Sequence, residues 1–315
     1  MPSFDAINYA LRPSKSIQRQ LVFEGIQKLH SQLSIEESAY VGLGSIWFTD
    51  FVLAHRLLGI QDMVSMESHE IGFARARFNA PYATVRVLQG TTSELLPSLY
   101  SDEAFAKCPW VVWLDYDQPF NDDSRSDLQS VIENAPANTI LLVTFNGHEV
   151  NYSKNLLERP ERLRQLFGQL VPDDLSKRAC RGESMQNTLA GFAMDYMKSV
   201  AADTARPGGF VPAFRVVYRD GSPMVTVGGV LPDPGQASAV MKVVTSVGWK
   251  CMPERHIVAP HLTLREAVTL QAKLPNAKGL SRDVVRGLGF DLEDDQIEAF
   301  ERYYLLYPSF AQILA

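Results

Sequence analysis

Apolar and polar positions follow two periods along the chain, and the change between them places the first elements. Tyr40 and Val41 end a short apolar run, and a small-residue turn, Gly42-Leu43-Gly44-Ser45, follows. Behind it Ile46, Phe48, Phe51, Val52 and the segment LAHRLL recur at helical spacing. Strand, glycine turn and helix in this order open a nucleotide-type α/β unit. Glycines let the backbone approach a ligand, and the free N–H groups of the helix start face it. The turn is not a full G-x-G-x-x-G, because Trp47 stands at the place of the third glycine.

Four more strands follow. Residues 62–68 form a short one ending in Glu67, and residues 83–90 alternate Val85 and Val87 about Arg86 up to Gly90, Thr91 and Thr92. WVVWLDYD, after Pro109, is continuously apolar and closed by acids, as suits a parallel strand buried on both faces. NTILLVTFNG, residues 138–147, is the fifth. Helical stretches separate them: 70–80 up to Pro81, a start at TSELLP, and the acid-rich NDDSRSDLQSVIENA. Right-handed crossovers then give a doubly wound sheet.

Upstream, Pro13 or Ser14 opens a helix with Ile17, Leu21, Phe23, Ile26 and Leu29 on its apolar stripe. Downstream, 151–207 reads as mostly helical, and 209–233 as two β runs about an Asp220-Gly221 turn, a hairpin for the sheet edge. VMKVVTSVGWK reads as a further strand or a short helix. After Pro260 a capping box, Thr263 with Glu266, starts a helix. The last stretch carries Tyr303, Tyr304, Tyr307 and Phe310 at helical spacing, read as core packing before base binding. The division expected is an N-terminal helical segment over 1–34, an α/β domain over 35–250 and a C-terminal helical appendage over 251–315.

Composition narrows the class. At 315 residues and 46% hydrophobic the chain can bury a full core, and its net charge of -6 argues against non-specific nucleic-acid binding. It has no apolar run of about 18 residues, so no membrane span is expected, and its first residues lack a signal-peptide core. Cys108, Cys180 and Cys251 are too scattered for a disulfide lattice or a CxxC pair, which makes a cytoplasmic setting the expectation. Arg12, Lys15 and Arg19 gather at the start of the first helix, where cations are unfavourable. They imply an anion in front of them, either a substrate phosphate or a carboxylate from elsewhere in the chain.

The order of these pieces over about residues 35–232 resembles the class I S-adenosylmethionine-dependent methyltransferases, in an uncharacterised bacterial branch. The resemblance implies a mostly parallel seven-stranded sheet ending in an antiparallel hairpin, and S-adenosylmethionine as cofactor. It puts Gly42, Gly44 and Ser45 under the methionine part. Glu67, about 25 residues after Gly42, stands where an acid accepts hydrogen bonds from the ribose hydroxyls. Gly90 and Thr91 fall at the adenine, and Asp115, Tyr116 and Asp117 at the end of the fourth strand. The sequence departs from the family in one telling place: Tyr40 stands where the acid two residues before the first glycine belongs.

Methyl transfer needs an acceptor held in line with the sulfonium carbon. Asp115 could orient the amino-acid end of the cofactor or take a proton, Asp117 could serve a hydroxyl or amine, and Tyr116 could stack. His148, after the fifth strand, is a candidate base. No third ligand joins the two acids, so no metal is expected. The acceptor is open: nucleic acid or a nucleotide would suit the N-terminal cations and the aromatic tail, and a small molecule or protein would suit the acidic charge. Homo-oligomerisation or a partner subunit is also open. Two other readings stand beside the enzyme. One is a degenerate methyltransferase-fold binding subunit, suggested by the irregular glycine turn. The other is a dehydrogenase, which requires a parallel sixth strand in place of the hairpin.

Overall fold

The computed structural model describes residues 12–33, 35 and 37–308. The chain runs α1 (Pro13–Leu33), β1 (Ala39–Gly42), α2 (Thr49–Leu58), β2 (Met63–Glu67), α3 (Glu70–Asn79) and β3 (Val85–Gln89). It continues through α4 (Thr92–Tyr100), α5 (Glu103–Ala106), β4 (Trp110–Asp115), α6 (Asp122–Asn134) and β5 (Thr139–Asn146). Helices α7 (Arg159–Phe167) and α8 (Gly182–Asp203) precede the hairpin strands β6 (Val211–Asp220) and β7 (Ser222–Leu231). Helices α9 (Ala237–Val244), α10 (Leu264–Gln271), α11 (Arg282–Arg286) and α12 (Asp294–Tyr303) complete the described chain.

The seven strands form one sheet in the order β3-β2-β1-β4-β5-β7-β6. Strands β1 to β5 pair in parallel, and β7 is antiparallel to both β5 and β6. The hairpin expected from Asp220-Gly221 is therefore present, and antiparallel β7 takes the place beside β5 where a dehydrogenase requires a parallel sixth strand. Asp220 pairs with Ser222 across Gly221, whose φ of 101° only glycine adopts without strain. The undecided stretch after the hairpin is helical in its first half, as α9.

Continuous apolar strands arise because both faces are covered. In β4, Trp110, Val112 and Leu114 pack into one core with Leu128, Val131, Leu189 and Ala193 of α6 and α8. Val111 and Trp113 point the other way, into a core with Phe23 and Ile26 of α1, Phe51 of α2 and Val240 of α9. Helix α1 thus lies on the sheet itself, against β6, α2 and α9.

A third core joins Ile17 and Leu21 of α1 to Val216 and Tyr218 of β6 and to Phe300, Tyr303 and Tyr307 of the C-terminal helices. The aromatic stripe is accordingly packing surface: Tyr303 and Tyr307 are buried and Tyr304 is half-buried. Phe310 lies outside the described residues. The capping box of Thr263 and Glu266 starts α10 as expected. Among the described residues no helix is long and apolar enough to cross a membrane.

Candidate functional site

The sheet has a switch point between β1 and β4, from which the chain leaves in opposite directions. A cavity of about 420 Å³ opens there, outside the carboxyl ends of β1 to β4. The loop from β1 to α2 forms one wall. A Cβ on Gly44 would lie 2.0 Å from Ser65 Oγ on β2, so only glycine lets the loop pack this closely on the sheet. The loop ends at Phe48, which holds a left-handed conformation (φ 48°, ψ 28°) that bulky residues rarely adopt. Its ring lies against Phe51 at 5.1 Å between centroids, and both residues line the cavity.

Glu67 ends β2 at the cavity wall. Its Oε1 accepts the His69 N–H at 2.9 Å, and its carbonyl accepts the Gly90 N–H at 3.1 Å. The second bond fixes the β3 loop beside the end of β2, bringing Gly90, Thr91, Thr92 and Ser93 to the same cavity. Thr91 caps α4 in a capping box with Glu94.

The opposite wall comes from α1 and β4. Lys15 Nζ pairs with Asp115 Oδ2 at 2.8 Å, and Arg19 Nε pairs with Asp50 at the start of α2. At the helix start, Asp220 accepts the N–H groups of Ser14 (3.1 Å) and Lys15 (2.6 Å) on its two oxygens. Asp115, Asp50 and Asp220 are carboxylates from elsewhere in the chain, one of the two kinds of anion the sequence left open for this cluster. Burial raises the Asp50 carboxyl above its usual range, against the pull of Arg19. Burial lowers the Arg19 guanidinium, but Asp50 and then Asp115 outweigh it and leave its pKa raised. Oδ1 of Asp115 and Nη1 of Arg19 are buried without a hydrogen-bond partner.

At the adjoining end, the Tyr116 hydroxyl donates to Asp127 Oδ2 of α6 at 2.5 Å, and Thr92 lines the cavity beside them. Burial raises both the Asp127 carboxyl and the Tyr116 phenol, so Tyr116 is a donor held on α6 and poorly suited to act as a base. Oδ1 of Asp127 is again buried and unpaired. Asp117 and Asp123 are exposed and line the same cavity.

Most of the residues expected at a site converge here: Gly44, Ser45, Glu67, Gly90, Thr91, Asp115, Tyr116 and Asp117, with Lys15 and Arg19. Three do not. Gly42 is the buried last residue of β1, below the cavity and packed against Tyr40 and Trp113. Arg12 donates to the Asp220 carbonyl at 3.1 Å, on the hairpin side. His148 belongs to a separate cavity with Gln186, Tyr218 and Gly221, because β5 delivers it towards α8, where its Nδ1 accepts the Val150 N–H at 3.2 Å. Asp50 and Asp127 are lining residues that the sequence reading missed. Asp127 looks like one more acid in an acid-rich helix start, and only its burial sets it apart.

Residues 7–315 match the family described as "Putative O-methyltransferase". The chain belongs to this family. The family and the sheet topology together make it an S-adenosylmethionine-dependent methyltransferase, with the acceptor left open. No curated protein matches this methyltransferase. Among solved structures it is similar to Trm1 from Pyrococcus horikoshii in complex with S-adenosyl-L-methionine, at 12% identity over 71% of this chain and 58% of that one, with a TM-score of 0.44. It is also similar to the O-methyltransferase from Bacillus cereus in complex with SAH, at 15% identity over 73% of this chain and 84% of that one, with a TM-score of 0.39.

The residues at the cavity fit the cofactor. S-adenosylmethionine carries two amino groups and one carboxylate. The lining residues of the methyltransferase hold two buried, unpaired carboxylate oxygens, on Asp115 and Asp127, and one buried, unpaired guanidinium nitrogen, on Arg19. A buried polar atom without a partner costs about 1–3 kcal/mol, which a complementary ligand group recovers.

Proposed function

We propose that the methyltransferase uses this cavity to present S-adenosylmethionine to an oxygen acceptor on a small molecule or protein. The observation that carries the reading is the convergence of Glu67, the Gly44 loop, the Gly90-Thr91 turn and Asp115 on one cavity at the switch point. Glu67 accepts the ribose hydroxyls, Asp127 with the Gly90-Thr91 turn takes the adenine edge, and Asp115 orients the amino-acid end. When bound, the cofactor supplies a methyl carbon on a sulfonium, open to in-line attack. The chain's part is to bury the cofactor against Phe48 and Phe51, keep water out and hold the acceptor in line. Asp117, exposed on the cavity, accepts the acceptor's hydroxyl proton.

The family description favours oxygen over nitrogen or carbon as acceptor. The charge around the cavity favours a neutral or cationic acceptor. Asp117 and Asp123 are exposed there, while Lys15 and Arg19 are paired to carboxylates within the fold. A phosphate backbone would meet these acids and gain little from those cations, so the proposal does not extend to nucleic acid.

Calorimetric titration with S-adenosylmethionine, S-adenosylhomocysteine and NAD tests the cofactor half. Micromolar binding of the first two and none of NAD is expected, and binding of NAD alone would refute it. Asp117→Asn tests the acceptor half, once a screen has found a hydroxylated acceptor. Turnover should fall by about a hundredfold or more, with S-adenosylhomocysteine affinity unchanged. Undiminished turnover would remove the base role.

A further inference from the structure

The resemblance to class I methyltransferases leaves one gap in the cavity wall. The acid two residues before the first glycine is replaced by Tyr40, whose ring is 1% exposed and packs edge-on against Phe51 at 4.8 Å. The cavity nevertheless holds a charged cluster at this end, drawn from three elements: Arg19 of α1, Asp50 of α2 and Asp115 of β4.

Among the described residues lining the cavity the only cations are Lys15 and Arg19, against the six acids Asp50, Glu67, Asp115, Asp117, Asp123 and Asp127. The two cations are the charged side chains open to a ligand carboxylate entering so acidic a cavity. Lys15 Nζ pairs with Asp115 Oδ2 at 2.8 Å and holds that carboxylate at the cavity wall. Arg19 engages Asp50 through Nε and keeps Nη1 unpaired, although its side chain is only 6% exposed. A guanidinium can serve two carboxylates at once, because its five N–H groups point along different edges of one plane. Asp115 has the converse arrangement, with Oδ2 on Lys15 and Oδ1 unpaired.

We propose that Arg19 and Asp115 form a clamp for the zwitterionic end of S-adenosylmethionine, with Arg19 Nη1 donating to its carboxylate and Asp115 Oδ1 accepting from its ammonium. The clamp presupposes the cofactor assigned above and adds a recognition element from the helix that precedes the α/β unit. Asp50 acts through Arg19 as a positioning residue, since it fixes the guanidinium by Nε. The clamp takes over the place that Tyr40 leaves without a charge. It makes cofactor binding depend on α1, whose first turn is held by Asp220 at the hairpin tip.

The test compares ligands with and without the charged end. Wild type should bind S-adenosylhomocysteine about ten- to a hundredfold more tightly than 5′-methylthioadenosine, which lacks the amino acid, as charge-assisted hydrogen bonds imply. Arg19→Met should remove most of that preference while leaving 5′-methylthioadenosine affinity unchanged. The decarboxylated cofactor isolates the carboxylate: Arg19→Met should not weaken it, whereas Asp115→Asn should. Arg19→Met leaves Asp50 buried without its partner, so Arg19→Met combined with Asp50→Asn is measured alongside. In every variant, 5′-methylthioadenosine binding reports an intact nucleoside pocket.

Equal weakening of both nucleosides by Arg19→Met with Asp50→Asn would show a structural role for Arg19 and overturn the clamp. So would an unchanged preference for S-adenosylhomocysteine. Failure of wild type to bind either nucleoside would remove the cofactor reading itself, an outcome distinct from either of these.

Discussion

Glu67 ends β2 with one carboxylate oxygen on the His69 N–H and its side chain at the cavity wall. The cap of α3 is the His69 side chain, which accepts the Gly72 N–H at 3.4 Å, so Glu67 keeps its second carboxylate oxygen for the cavity. Glu67→Ala should weaken S-adenosylhomocysteine by about tenfold or more, the worth of hydrogen bonds from ribose hydroxyls to a charged acceptor. Circular dichroism should stay unchanged, because the bond lost to the His69 N–H lies at the surface; unchanged calorimetric affinity would remove the ribose role. His30, far from the site, gives a prediction from burial alone. Burial lowers its imidazole from 6.5 to about 4, so the folded chain holds it neutral. Between these values the unfolded chain binds more protons, so stability is full above pH 6.5 and is lost as pH falls towards 4. The loss attributable to this group is about 3 kcal/mol. Urea unfolding at pH 7.5 and 4.5 should show that drop in wild type, and a smaller one in His30→Gln. At this scale the sequence could nominate Glu67 and Asp115, since a strand end places a side chain by counting. It could not nominate Asp127, whose only mark is its burial beside Tyr116.

The helix start at Pro13 is the element whose pattern told most and whose partner it concealed. Three cations at an N-terminus require an anion, and α1 finds three carboxylates, Asp220, Asp115 and Asp50. The first lies 206 positions from Ser14, at the tip of the hairpin. The Ser14 hydroxyl adds a bond to the Arg219 carbonyl at 3.0 Å. Hairpin and helix thus hold each other, and the hairpin, readable as the family's last strands, also supports the cavity wall. Asp220→Ala should cost about 1–3 kcal/mol by leaving two buried N–H groups unpaired. Urea unfolding with an unchanged slope would report it, and a loss below about 0.5 kcal/mol would make the cap marginal.

Across the whole molecule, the cavity is built from α1, the β1–α2 loop, β2, the β3–α4 turn, β4 and α6, so a ligand there ties much of the fold together. Saturating S-adenosylhomocysteine at about a hundred times its dissociation constant should add about 2.7 kcal/mol to stability and raise Tm. A thermal shift absent with this ligand and present with NAD would contradict the assignment. The parallel strands, the hairpin and the class I methyltransferase topology were legible in the sequence alone, because period, turn residues and strand ends are local properties of the chain. The aromatic stripe of Tyr303 and Tyr307 was legible as core by the same rule, as helical spacing marks a face for burial. Which charges meet was decided only by the tertiary structure. His148 follows a strand in the same way as Asp115, yet β5 turns it towards α8 and into another cavity. Arg19 and Asp50, 31 positions apart, carry no mutual signal in the sequence. Folding α1 onto the sheet takes both out of water, and in that low-dielectric setting a charge must find its opposite or a ligand that supplies it.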